Sequence, residues 1–258
     1  MKLYLRSEIY RIFHRMNSYV FIGICTALLI SSNIVLAALK HVDKKFPYAT
    51  TFYSIANLYT SFMAIFLLCV LIGIMIFGNE HGYHTMKNSL SYGISRKSIY
   101  FGKLIIEIIY GVAAFTLISS IHITAAYLLL EDSGPANLIL FLRTVLYCLP
   151  LLLFSISATN CFIFLFESTG AAITAILSLL VVLPLISSLL GMKFEAIRRF
   201  ADILPFNMIK NTQFDFDKLD FVFKGSVNTL SGYWISGIIQ TAIVIIIGYC
   251  VFQKREIK

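Results

Sequence analysis

The sequence predicts an all-α integral membrane protein with six transmembrane helices, on three observations. Of its 258 residues, 59% are hydrophobic and only 13% charged, with a mean hydropathy of +0.84. A soluble domain of this length needs more charge to cover its surface. The charges also fall between long apolar runs. With His counted as neutral, Met16–Leu39, Phe46–Asn79, Thr144–Phe166, Ser168–Met192 and Gly225–Gln253 carry none, and Glu107 alone interrupts the stretch between Lys103 and Glu131. About 20 apolar residues cross the hydrocarbon core, so each run holds one helix and none comfortably holds two. Finally, the runs are continuous rather than alternating, which argues against barrel strands. Backbone in lipid must satisfy its own polar groups, and helices do so.

Taken in order, residues 1–18 are expected to form an interfacial helix. Leu3, Ile9, Tyr10, Phe13 and Met16 fall near one helical face, with Arg6, Arg11 and Arg15 elsewhere. A single transmembrane domain follows, with spans expected at 19–39, 55–77, 104–130, 144–166, 170–190 and 232–252. Val35-Leu36-Ala37 looks like a signal-peptidase site, but the apolar run before it exceeds the usual h-region of about 7–15 residues. The segment is therefore expected to stay as a span. Between spans two and three, Tyr83–Leu90 suits a short helix, Gly93 a stop and Ser95 an N-cap for the next helix. Residues 78–103 thus form a polar helix-turn-helix elbow. The 191–230 segment is too long for a mere connector. Within it, Phe194, Ile197, Ala201 and Leu204 follow helical spacing and Pro205 is expected to end that helix.

Lys2, Arg6, Arg11 and Arg15 precede the first span, and Lys254, Arg255 and Lys258 follow the last. The positive-inside tendency then puts both termini in the cytoplasm, against the dissent of Lys40, Lys44 and Lys45 in the first outer loop. The net charge of +8 fits membrane-surface electrostatics. No soluble basic face exists for nucleic acid.

Catalytic signatures are missing: there is no GxxxxGK[ST], HExxH or GxSxG. Cys25, Cys69, Cys148, Cys161 and Cys250 lie within the spans, where they serve as small packing residues. His81 and His84 beside Glu80 are a weak metal candidate without further ligands. Glu107 lies one turn past Lys103, where it can pair or snorkel. An intramembrane acid is also a candidate for a substrate path. His122 lies deeper and suits either a substrate path or a hydrogen-bonded packing role.

The elbow resembles that of the type-2 ABC exporter permeases (the ABC-2 family). Their pattern of an acid, Gly, Thr-x-Lys-x-x-Leu, a small-residue turn, Ser-Arg and then Gly-Lys entering a helix is carried here by Glu80, Thr85, Lys87, Leu90, Gly93, Ser95, Arg96, Gly102 and Lys103. One departure is that Tyr83 and His84 separate Gly82 from Thr85. The resemblance implies that the elbow is a cytoplasmic coupling helix seating in an ATPase subunit, through Glu80, Tyr83, Thr85, Lys87, Leu90, Ser95 and Arg96. It makes the connection at Glu167 a second, smaller contact, and 191–230 an outer surface or re-entrant segment. It further implies two permease chains, alike or different, and two ATPase subunits that bind the ATP and Mg, leaving this chain without a cofactor. The substrates expected of small permeases of this kind are antimicrobial peptides, bacteriocins or drugs, at the bacterial plasma membrane. The residues alone leave open an ion-coupled secondary transporter, which would need several mid-membrane charges, and a membrane scaffold or sensor.

Overall fold

The computed structural model describes residues 2–77, 85–166, 168–215, 220–223, 225 and 227–255. The helices are α1 (Lys2–Phe13), α2 (Met16–Val42), α3 (Thr51–Thr60), α4 (Phe62–Phe77), α5 (Thr85–Ser91), α6 (Arg96–Leu129), α7 (Ala136–Leu165), α8 (Thr169–Leu177), α9 (Leu183–Gly191), α10 (Glu195–Asp202), α11 (Pro205–Asn211) and α12 (Leu230–Lys254). A short antiparallel pair, β1 (Thr212–Asp215) and β2 (Asp220–Phe223), joins Thr212 to Phe223 and Asp215 to Asp220. The protein is an all-α, multi-pass membrane protein apart from that pair. Among the described residues, five helical stretches are long and apolar enough to cross a membrane: α2, α6, α7, α8 through α9, and α12. The bent pair α3–α4 makes a sixth if it is one span.

The second apolar run is broken rather than straight, turning by 56° at Ser61. Thr60 Oγ1 bonds back to the Ala56 carbonyl at 2.9 Å, a local bond of the kind that bends helices. Ser155 of α7 then donates to the Phe66 carbonyl at 2.8 Å. The fifth run contains a π turn, Ser178–Val182, just before Pro184. Proline has no N–H to give, and a wider turn absorbs that defect.

Pro150 creates the same problem inside α7, since it cannot donate to the carbonyl of Leu146. The indole N–H of Trp234 on α12 fills the gap, reaching the Leu146 oxygen at 3.0 Å. Helix α12 packs against α7 along its length. A Cβ on Gly237 would lie 2.7 Å from Pro150, and one on Gly248 would lie 2.4 Å from the Tyr100 hydroxyl and 2.9 Å from Cys161 Sγ. Lipid gives helices no hydrophobic drive toward each other, so close approach at small residues supplies the attraction.

The 192–230 region is more structured than the expected loop with one helix. Pro205 does follow the end of α10, but it also occupies the first turn of α11, where its missing N–H costs nothing. Asn207 bonds the carbonyls of Ala201 at 2.8 Å and Pro184 at 3.2 Å. From α12, Tyr233 bonds the Met208 carbonyl and Gln240 the Ile203 carbonyl. This segment is therefore fastened to α9 and α12. At the same end Thr51 N–H donates to the Glu131 carbonyl and Lys40 pairs with the Glu131 carboxylate, joining the α2–α3 and α6–α7 connections.

Replacing Gly248 with Leu is expected to destabilise the bundle by about 1–3 kcal/mol through overpacking, read as a lower unfolding midpoint by circular dichroism in detergent. Gly23→Leu is the control, because Gly23 has open space around it.

Candidate functional site

Of the elbow, 78–103, the described part starts at Thr85. Within it α5 ends on Gly93, at φ +81°, a left-handed conformation that glycine adopts without strain. The Gly93 and Ile94 amides return to the Leu90 and Ser89 carbonyls. Ser95 caps α6 by accepting from the Ser98 amide at 3.2 Å. Leu90 is half-buried against the core. Glu80, Tyr83 and Glu167 lie outside the described residues, as do His81 and His84, and the side chains of Thr85 and Lys87 are not described either. Among the described residues no group of three or more His, Cys, Asp or Glu is placed to hold a metal ion.

Arg96 turns inward. Its Nη1 donates to the carbonyls of Phe252 at 2.8 Å, Gln253 at 3.1 Å and Arg255 at 2.5 Å, which are the orphan acceptors at the end of α12. Arg255 in turn donates to Phe164 at 2.5 Å and Phe166 at 3.4 Å, at the end of α7. Arg15 does the same for α4, reaching Met75 at 2.7 Å and Ile76 at 3.4 Å. Three helices thus end together, each with its negative dipole end covered by a guanidinium. Beneath the arginines lies a buried aromatic cluster. Phe77, Tyr100, Phe164 and Phe252 come from four different helices and all are buried. Phe164 lies 5.0 Å from Phe77, 5.2 Å from Tyr100 and 4.4 Å from Phe252 between ring centroids.

Gly102 and Lys103, the last residues of the elbow pattern, receive α1. A Cβ on Gly102 would lie 2.6 Å from Tyr4 Cε1. Lys103 is fully buried and its Nζ sits 2.7 Å from Glu8 Oε2, which Arg11 also reaches at 2.6 Å. Helix α1 accordingly has two faces. Tyr4, Glu8 and Ile12 are buried against the bundle, while Leu3, Tyr10 and Phe13 are exposed. The expected apolar stripe found the second face and missed the first, because Glu8 does not read as a packed residue. The helix also ends at Phe13, shorter than the expected 1–18, and Met16 already begins α2.

Glu107 does not snorkel. It is fully buried, one Oε lies 3.0 Å from where a Cβ on Gly73 would stand, and Thr159 is beside that position too. Neither carboxylate oxygen has a hydrogen-bond partner among the described residues. His122 is also buried, within a ring of polar groups from α2, α3 and α6. Ser54 Oγ donates to Asn33 Oδ1 at 2.5 Å and lies 3.2 Å from His122 Nε2, while Asn33 Nδ2 lies 3.4 Å from His122 Nδ1. With the proton on Nε2 these three contacts close a cycle: imidazole to serine, serine to asparagine, asparagine back to imidazole.

The profile described as "ABC-2 family transporter protein" matches residues 12–184. This chain belongs to the ABC-2 family. No curated protein and no solved structure matches it. The matched region takes in α2 through α8, with the elbow inside it, and stops before α10–α12. The ABC-2 protein is thus a membrane permease whose elbow pattern, where it is described, divides between helix caps and the seat of α1.

Glu8→Gln removes the carboxylate that the fully buried Lys103 ammonium meets at 2.7 Å. A loss of about 3–5 kcal/mol of stability is expected, measured by unfolding in detergent. Adding Lys103→Met is expected to restore most of it, since both charges are then gone.

Proposed function

We propose that this ABC-2 protein is the permease subunit of an ATP-driven exporter, and that it passes mechanical work from a separate ATPase to a translocation path. The observation that carries this reading is the elbow between the second and third apolar runs. It presents a short helix, α5, and an exposed turn at Tyr92 beside the arginine-capped end of the bundle. On this reading the capped end is cytoplasmic. The N-terminus, the elbow, the α7–α8 connection and Arg255 all belong to it, in agreement with the positive-inside tendency. Helix α1 lies in the inner headgroup layer, its Leu3–Tyr10–Phe13 face toward lipid.

Two permease chains, identical or related, form the path between them, and each docks its elbow on one of two ATPase subunits. Glu80, Tyr83, Thr85, Lys87 and Leu90 supply the docking surface, with Glu167 a second contact. ATP and Mg are held by the ATPase, whose closure shifts the bundle between access states. The substrate class that suits such a small permease is an amphipathic antimicrobial peptide or a drug. Glu107 and His122 are enclosed by helices of their own chain, so their part in a path depends on helix movement.

Co-purification with candidate ATPases, followed by transport in proteoliposomes, tests this reading. Glu80→Ala and Lys87→Glu are expected to lower ATPase association at least about tenfold, a loss of roughly 1.4 kcal/mol. Unchanged association together with unchanged transport would sink the coupling role.

A further inference from the structure

The residues that close the capped end do more than finish three helices. The elbow enters the bundle at Arg96, and Arg96 is bound to the last turn of α12 through three carbonyls. Arg255, at the end of that same turn, is bound to the last turn of α7. Helix α7 leads straight into the connection before Ser168, which caps α8. The end of α12 is therefore a link between the two connections, which the path of the chain itself separates by the whole of α6 and α7. Apolar packing reinforces the link. The Arg96 guanidinium lies 5.9 Å from the Phe252 ring centroid, and Phe252 packs on Phe164 and Tyr100. All four aromatic rings beneath the guanidinium groups are buried.

We propose that residues Phe252–Arg255, with Arg96, form a clamp that makes the elbow and the α7–α8 connection move as one body. Force applied at the elbow then reaches α7 and α12 together. Bending is left to the break at Ser61 and the π turn Ser178–Val182, two interruptions of regular helix geometry that, unlike the one at Pro150, no donor from another helix bridges among the described residues. Arg96 and Arg255 are positioning residues: they hold the docking surface to the helices that must move. The mechanical part of this proposal rests on the coupling role proposed above, but the clamp itself does not.

The test uses the full chain in nanodiscs with its five cysteines replaced by alanine. Spin labels go at Tyr92, in the turn of the elbow, and at Gly170, in the first turn of α8 next to the other connection, both exposed. A narrow distance distribution is expected in the parent. Arg255→Ala is expected to broaden it by more than about 5 Å, roughly one helical turn, and Arg255→Lys to keep it narrow, since an ammonium still donates to both carbonyls. An unchanged distribution in Arg255→Ala overturns the clamp. Arg96→Ala is read in the same way should Arg255→Ala fail to insert.

A second pair of labels, at Val42 and Met192 on the opposite end, is read with an ATPase that co-purifies with the parent. ATP is expected to shift this pair in the parent. In Arg255→Ala the shift is expected to vanish while ATP hydrolysis continues, which loss of folding alone would not produce. A shift of parental size in that variant overturns the clamp's mechanical role. If no ATPase binds the parent, the coupling role fails and the clamp stands or falls on the first pair alone.

Discussion

Hydrocarbon offers no water to a carbonyl, and that constraint runs through the whole bundle. Each place where a helix stops or a proline interrupts it exposes acceptors that something else must satisfy. Pro150 frees the Leu146 carbonyl and Trp234 takes it. The ends of α4, α7 and α12 expose several carbonyls each, and Arg15, Arg255 and Arg96 take those. The donors in these cases all lie outside the helix whose carbonyls they take. Satisfying the backbone therefore also fixes which helices are neighbours, and the same few bonds specify the packing.

The arginines do so economically because a guanidinium carries several N–H groups in a rigid plane, and its charge opposes the dipole of the helix it covers. A lysine at the same places would present a single, more strongly hydrated point charge. Lys103 is used differently, buried against Glu8 and over the Phe77 ring at 5.5 Å. That pair anchors α1, which precedes the spans, and Gly102 lets the Tyr4 ring approach. Three of the guanidinium forks near this end cover carbonyls, while Glu8 takes both the Lys103 ammonium and the Arg11 guanidinium.

Much of this was legible in the sequence. Charge spacing alone gives the membrane class and the apolar helices, since a gap of twenty uncharged residues has few other meanings. The Gly93 stop and the Ser95 cap were readable because both act over three or four residues. What could not be read is long-range. Arg96 and Phe252 are 156 residues apart, and nothing local in either announces the other. The break at Ser61 was hidden because Thr and Ser are tolerated in apolar helices. Glu8 is one charge on a helix that carries several, and nothing local in the sequence marks it as buried. The pairing of Pro150 and Trp234 escaped the sequence reading too: a proline in a span frees an acceptor, but nothing near it says that the donor lies on α12.

That last pair has a use beyond holding α7 to α12. Trp234 is the only tryptophan in the chain, so the protein's whole indole fluorescence comes from a single ring whose N–H rests on a carbonyl of the neighbouring helix. Its emission energy and lifetime depend on that bond and on the polarity around it. The molecule therefore carries an intrinsic optical gauge of the α7–α12 contact, and separation of these helices can be followed in the unlabelled, unmodified protein.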